Sequence, residues 1–393
     1  MIKRQEGYVL KEIGGIHRLL PFGQKVADQR KGISMNETGV FLWNALKEPK
    51  EETELTELTA CYYEITDDKE KEMLKHDIHG FLNQMQALGI LRTELRRKNE
   101  TCCGKMQIAG MRIGFFGDAE LIPEEFNAFR MADTDREVHQ EWDQQIELIE
   151  GLPESTQNGR TLLKNKELVV SAWEEGYILQ FPTLDNVYES YMTEDGSYVR
   201  IHCRKPCREE EKDNLFHAIR QFFLYLAQKK GYYAIHSASI LYKGKAWLFS
   251  GHSGMGKSTH TAMWHEIEKT PYLNGDLNLA GIREEDNRLV ISGIPWCGTS
   301  QIYTTEEYEF GGIVLLGRDT MDHVETLTEA EKTIKVMQRM ISPVWKEEML
   351  EKNLAFAEKI AEKVPILQLF CTKEPEAVKV IKREIDRLEV IRR

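Results

Sequence analysis

The sequence predicts a multidomain α+β chain. Residues 1–92 read as a winged-helix-like unit, 93–105 as a linker, 106–205 as an acidic β-rich unit, and 206–393 as an α/β unit built on a phosphate-binding loop. Three observations carry this prediction. Of the formal charge of −12, the 9 basic and 19 acidic side chains of residues 106–205 hold −10, a composition shift that marks domain boundaries. Before residue 92, two short β-prone runs around a Gly-Gly pair are followed by three helical periodicities. After residue 245, an apolar run leads into a full GxxxxGK[ST] match. A length of 393 residues agrees with two to three domains of about 150 residues each.

The acidic balance argues against a protein that grips nucleic acid along its surface. No stretch approaches the ~20 apolar residues of a membrane span, and the first residues lack a signal-peptide core, so a cytoplasmic location without membrane contact is expected. Seven scattered cysteines without paired CxxC modules predict reduced thiols.

In the first unit, Tyr8-Val9-Leu10 and His17-Arg18-Leu19-Leu20 form a hairpin signature around Gly14-Gly15, and a third extended run is expected from Lys25 to Ser34. Asn36 offers an N-cap to a helix carrying Val40, Trp43 and Leu46. A second helix is expected over Thr53 to Tyr63. A third, over Asp68 to Leu88, sets Leu74, Ile78, Phe81, Leu82 and Met85 on one face, and Gly89 stops it. The strand pair, the run Ser34 to Trp43 and the closing Leu88-Gly89-Ile90-Leu91 resemble the PqqD-like leader-peptide recognition domain. That resemblance implies that residues 1–92 bind the leader of a ribosomally made precursor peptide, which pairs with the third strand and rests on the third helix.

In the acidic segment, strands are expected at Met111 to Phe116, Leu168 to Trp173, Tyr177 to Phe181 and Tyr198 to Ile201, with a turn at Glu174-Glu175-Gly176. The polar run Arg96 to Thr101 reads as linker. Glu137, Glu141, Asp143, Glu147 and Glu150 read as solvated surface, and the segment's acidity as a field that steers a basic part of a partner.

In the last segment, a helix over Glu209 to Lys229 precedes a hairpin of Ala234 to Tyr242 and Ala246 to Ser250 around Lys243-Gly244. The hairpin runs into Gly251-His252-Ser253-Gly254-Met255-Gly256-Lys257-Ser258-Thr259. The glycines let the backbone approach phosphate, successive amides and a helix N-terminus supply positive potential, Lys257 reaches the β- and γ-phosphates, and the Ser258 hydroxyl is offered to Mg²⁺. Asp276, in a run read as a strand ending on a carboxylate, is a candidate for Mg²⁺ or for the proton of an attacking hydroxyl. His236, on the hairpin, is a candidate phosphate contact. After a strand at Ile313 to Leu316, helices at Glu329–Ile341 and Lys346–Lys363, a strand at Ile366–Cys371 and a helix from Pro375 to Arg392 complete the segment.

The run Ile235 to Ser239, the phosphate loop and Asn274-Gly275-Asp276 together resemble the HPr kinase/phosphorylase family, whose fold is similar to the nucleotide-binding half of ATP-dependent phosphoenolpyruvate carboxykinase. The resemblance implies ATP, Mg²⁺ and γ-phosphoryl transfer to a serine hydroxyl, with Asp276 matching the family's base and His236 its active-site histidine. Two departures stand out. Leu277 occupies the place of a second aspartate, and instead of an arginine-bearing signature loop there is Gly293-Ile294-Pro295-Trp296-Cys297-Gly298-Thr299. Gly293, Pro295, Trp296 and Gly298 of this turn-rich loop suit an acceptor pocket. The joint expectation is an ATP-dependent kinase acting on a Ser/Thr hydroxyl of a leader-bound precursor. A small-metabolite kinase and a non-catalytic, ATP-switched leader chaperone remain alternatives, and the sequence does not fix an oligomeric state.

Overall fold

A computed structural model of the chain describes residues 1–93, 97, 99–132, 141–153, 159–173, 176–283 and 285–391. The chain divides into two compact units, Met1–Lys98 and Asn99–Arg393.

In the first unit, β1 (Ile2–Arg4) pairs with β5 (Leu91–Thr93), while β2 (Tyr8–Ile13), β3 (Ile16–Pro21) and β4 (Ile33–Met35) form an antiparallel sheet in that order. Gly14 and Gly15, with φ of 60° and 75°, make the two-residue turn whose twist suits the hairpin. The extended run expected from Lys25 to Ser34 shrinks to β4, because Gln24–Ala27 close a short helix, α1, in which Asp28 N–H bonds back to Gln24. Helix α2 (Glu37–Ala45) starts where Asn36 Oδ1 accepts from Gly39 N–H at 2.8 Å, followed by α3 (Glu52–Tyr62). Helix α4 (Asp68–Ala87) starts at Asp67, whose carboxylate accepts from Lys69 and Glu70 N–H. Leu42, Trp43, Leu55, Ile78, Leu82 and Met85 make the core of this unit.

The second unit holds two large mixed sheets. One comprises β6 (Cys102–Ile108), β7 (Met111–Gly117), β8 (Gln144–Glu150), β9 (Arg160–Lys164), β10 (Val169–Trp173), β11 (Gly176–Gln180), β12 (Val187–Thr193) and β13 (Tyr198–Cys203), in the order β6-β7-β8-β13-β12-β11-β10-β9. The last seven residues of the expected linker are therefore not linker: Asn99 opens this unit and β6 begins at Cys102. Arg96 and Lys98 of the polar run, Glu137, the turn residues Glu174 and Glu175, and Arg392 of the last helix lie outside the described residues.

The acidic segment is also no separate domain. Met106, Phe115, Ile146, Leu179 and Val199 share one hydrophobic cluster with Phe222 and Phe223 of α5 (Asn214–Lys229) and with Trp296 and Trp345. Helix α5 is buried around nearly its whole circumference, the condition for a helix packed on more than one side. The charge shift reports which surface is acidic, not where a core ends. Glu147 corrects the reading of the acidic run as solvated: it is fully buried on β8, accepting from Tyr198 O–H, Arg200 Nε at 3.0 Å and Asn99 N–H at 2.7 Å. Burial raises its carboxyl, and Tyr198, Arg200 and Asn99 more than offset that, so it is held below its ordinary value.

The second sheet contains β14 (Tyr233–His236), β15 (Ala238–Tyr242), β16 (Lys245–Ser250), β17 (Leu277–Arg283), β18 (Arg288–Ser292), β19 (Glu307–Arg318), β20 (His323–Glu325) and β21 (Ile366–Cys371). Its order is β14-β17-β18-β19-β16-β15, with β21 pairing both β19 and β20. The long β19 runs parallel to β16 and β21. Helices α6 (Lys257–Glu268), α7 (Glu329–Met337), α8 (Glu347–Lys363) and α9 (Glu376–Ile391) complete the unit. The single strand expected from Ala234 to Tyr242 is divided at Ser237, because β14 pairs with β17 and β15 with β16. That break positions the site.

Candidate active site

Strand β16 is buried, parallel to β19 and antiparallel to β15, and the chain leaves its end through Gly251 into α6. Gly254 and Gly256 adopt φ of 76° and 94°, values at which a side chain is strained, and Gly256 caps α6 with its carbonyl accepting from His260 N–H at 2.8 Å. His252, Ser253, Ser258 and Thr259 are exposed, while Met255 and Lys257 are half-buried. Burial lowers the Lys257 ammonium, Arg339 adds to that, and Asp276 opposes it.

Because β14 and β17 are antiparallel with His236 opposite Leu277, the last residue of one strand meets the residue preceding the other. His236 Nε2 lies 3.1 Å from Asp276 Oδ1. Asp276 thus stands before a strand, not at the end of one as expected. The reason is Asn274, whose Oδ1 accepts from the N–H groups of Asp276 and Leu277 at 3.2 Å each and turns the chain there. Asn274 is itself buried, donating Nδ2–H to Ile294 O at 3.0 Å and N–H to Ser239 Oγ at 3.0 Å. Ser237 N–H donates to Asp276 O, and Asn278 binds both Ser237 and Ser239. This buried polar lattice holds the aspartate. The hydrogen bond from His236 pulls the Asp276 carboxyl below its ordinary value; burial opposes the shift, while the charges of His236, Lys257 and Arg220 reinforce it.

Beyond Asp276 opens a cleft of about 740 Å³ whose lining includes Pro295, Trp296 and Gly298 of the expected acceptor loop. Gly293 does not line it. A Cβ there would stand 1.7 Å from Thr304 O, so the glycine serves a close approach of two backbones. Trp296 is 2% exposed, donating Nε1–H to Phe216 O at 3.0 Å and stacking on that ring; it anchors the loop more than it presents a surface. Gly298, at φ 63°, leaves room for Asp276: a Cβ there would lie 2.9 Å from the Asp276 Cβ.

Two arginines that no motif of the sequence marks join the site. Arg339 carries its guanidinium against the His252 ring, with Nη2 3.1 Å from Nε2, and its carbonyl accepts from His236 N–H at 2.8 Å. Arg220, on α5, lines the cleft together with Asp276. Leu277 is 1% exposed within the core, so no second carboxylate follows Asp276. Among the described residues no group of three or more His, Cys, Asp or Glu forms a metal cage. The Ser258 hydroxyl and the Asp276 carboxylate are oxygen donors of the kind that Mg²⁺ takes, an ion that keeps several waters and binds through one or two protein ligands plus phosphate oxygens.

A family model described as "Coenzyme PQQ synthesis protein D (PqqD)" matches residues 26–91. No curated protein matches the chain. Among solved structures, the Hpr(Ser) kinase/phosphatase from Coxiella burnetii is similar at 10% identity and a TM-score of 0.25, covering 40% of this chain and 93% of that one. No helix among the described residues is long and apolar enough to cross a membrane.

Proposed function

We propose that the chain is an ATP- and Mg²⁺-dependent kinase that phosphorylates a Ser/Thr hydroxyl of a ribosomally synthesised precursor peptide held through its leader. The observation that carries this reading is the Asp276–His236 pair, 3.1 Å apart, beside a phosphate loop whose lysine senses the same carboxylate. The PqqD match over residues 26–91 supports leader binding. So does the free edge of β4, which pairs only with β3 among the described residues and offers an extended peptide a place to add a strand.

In this reading the acceptor oxygen attacks the γ-phosphorus, the bond to the β,γ-bridging oxygen breaks, and ADP leaves. Asp276, ionised at neutral pH, orients the hydroxyl and accepts its proton as the P–O bond forms, and His236 steadies the carboxylate. Lys257 and the loop amides offset charge on the phosphates, with Arg339 alongside. Mg²⁺ held by Ser258 and Asp276 would neutralise the β- and γ-phosphate oxygens.

The test mixes the full chain with ATP, Mg²⁺ and the product of a short open reading frame adjacent to its gene, then looks for a gain of about 80 Da, one phosphoryl group. Asp276→Asn should keep ATP binding and lose transfer by at least about 10²-fold. Leader capture with no mass gain on any neighbouring peptide would leave the non-catalytic chaperone as the better reading.

A further inference from the structure

One face of α5 lines the cleft beyond Asp276: Asp213 at the N-cap, His217 one turn on, and Arg220 a further turn along. Seven positions separate Asp213 from Arg220, about 10 Å along the axis. Glu125 adds its charge near Asp213 at one end of the cleft, while Arg220, towards the other, lies within electrostatic reach of Asp276 and Glu167. Arg220 Nε is buried without a hydrogen-bond partner, as is His217 Nδ1, and no ion pair holds the guanidinium among the described residues. Its Nε is buried and the side chain lines the open cleft, and a bidentate carboxylate is the anion that a planar guanidinium fork fits. The cleft's lining includes no residue of the phosphate loop, so this cation faces the acceptor and not the nucleotide.

We propose that Arg220 reads a carboxylate adjacent to the phosphorylated hydroxyl, so that the acceptor is a Ser or Thr beside an acidic group. This rests on the kinase reading and narrows its substrate. The acidic end sets the register. At about 3.3 Å per extended residue, a carboxylate three positions away, on the Asp213 side, would meet Glu125 and Asp213 and be repelled.

Calorimetric titration of the full chain in ADP and Mg²⁺ reads binding without turnover. The probes are synthetic octapeptides: Ser followed by Asp with an amidated end, the Asn analogue, one with Asp moved three positions away, and one ending in Ser as the free acid. The Asp peptide should bind at least about tenfold more tightly than the Asn analogue, as expected for a charged hydrogen bond. The displaced Asp should bind no better than Asn. The free-acid peptide tells whether a chain terminus serves as well as a side chain. Arg220→Gln should erase the preference while ADP affinity stays within twofold, and Arg220→Lys should restore part of it. Equal affinities for Asp and Asn peptides, no binding of either, or a loss of ADP affinity in place of peptide preference overturns the proposal. Failure of the Asp peptide to take up phosphate from ATP while it still binds selectively counts against the kinase reading alone.

Discussion

Gly298→Ala tests whether the acceptor loop sets the position of Asp276. Gly298 lies at φ 63°, where an L side chain costs about 1–2 kcal/mol, and the new methyl would stand 2.9 Å from Asp276 Cβ and 3.2 Å from its Cγ. Carbon pairs rest at about 3.5–4.0 Å, so either the loop or the carboxylate retreats by roughly half an ångström or more. The hydrogen bond between His236 Nε2 and Asp276 Oδ1 is 3.1 Å long, and the same retreat along it reaches the limit beyond which no bond remains. A misplacement approaching 1 Å in a reacting group costs on the order of 10²-fold. The variant should therefore lose about 1–2 kcal/mol in urea unfolding and one to two orders of magnitude in kcat, with ATP affinity unchanged. Steady-state transfer to the precursor, followed by mass, and nucleotide titration separate these effects. A kcat within twofold of the parent, in a variant that shows the stability loss, would refute the reasoning, because the clash would then have been absorbed without disturbing any group the reaction needs.

Two further outcomes follow from the same geometry. His260, on α6, is 2% exposed and stacked on Phe249, with both ring nitrogens unpartnered, and burial pushes its imidazolium down to about 4. The unfolded chain protonates this ring near 6.5 while the folded chain does not, so stability is lost as pH falls from 6.5 towards 4; the gap of about 2.5 units is worth about 3 kcal/mol. His260→Phe should flatten that part of the stability–pH curve in urea titrations, and an unchanged slope would contradict it. Asn36→Ala removes the acceptor for Gly39 N–H and should cost about 1 kcal/mol in the unfolding of the first unit. A chemical-denaturation midpoint that does not move would show that the cap contributes nothing.

How much was legible in the sequence followed from how local each signal is. The cap at Asn36, the Gly14-Gly15 turn and the loop Gly251–Thr259 are contiguous, and each is specified by residues within a few positions of itself. Asp276 was legible as a residue but not in its setting, because its orientation depends on Asn274 and on polar side chains of the neighbouring strands. Arg220 and Arg339 could not be found by spacing, since α5 and the chain after α7 bring them in from opposite sides of the phosphate loop in sequence. A usable signal did exist in α5, where an arginine and a histidine three residues apart interrupt an otherwise buried helix. The acidic segment misled for a different reason. Strand β8 has Glu147 buried opposite Arg200 on β13, and a carboxylate in a strand looks solvated until its partner strand is known.

That Asp276 is followed by Leu277 and not by a second carboxylate has a chemical consequence for the proposed kinase. Two adjacent carboxylates would repel and raise one another, as paired acids do. Here the nearest charges to Asp276 are the cations Lys257 and Arg220 and the partner His236, all of which favour its ionised form. In the proposed reaction Asp276 would accept a hydroxyl proton without first losing one of its own, and it would be offered to a divalent cation without a second carboxylate directly beside it in the chain. If the proposed Mg²⁺ binds here, phosphate oxygens and waters would supply its other ligands. Leu277 is meanwhile buried in the core shared with α5, so an aspartate there would be a buried, unpaired charge next to Asp276. The single carboxylate is therefore a property of how the two sheets of this unit share their core, not a side chain that can be exchanged independently of it.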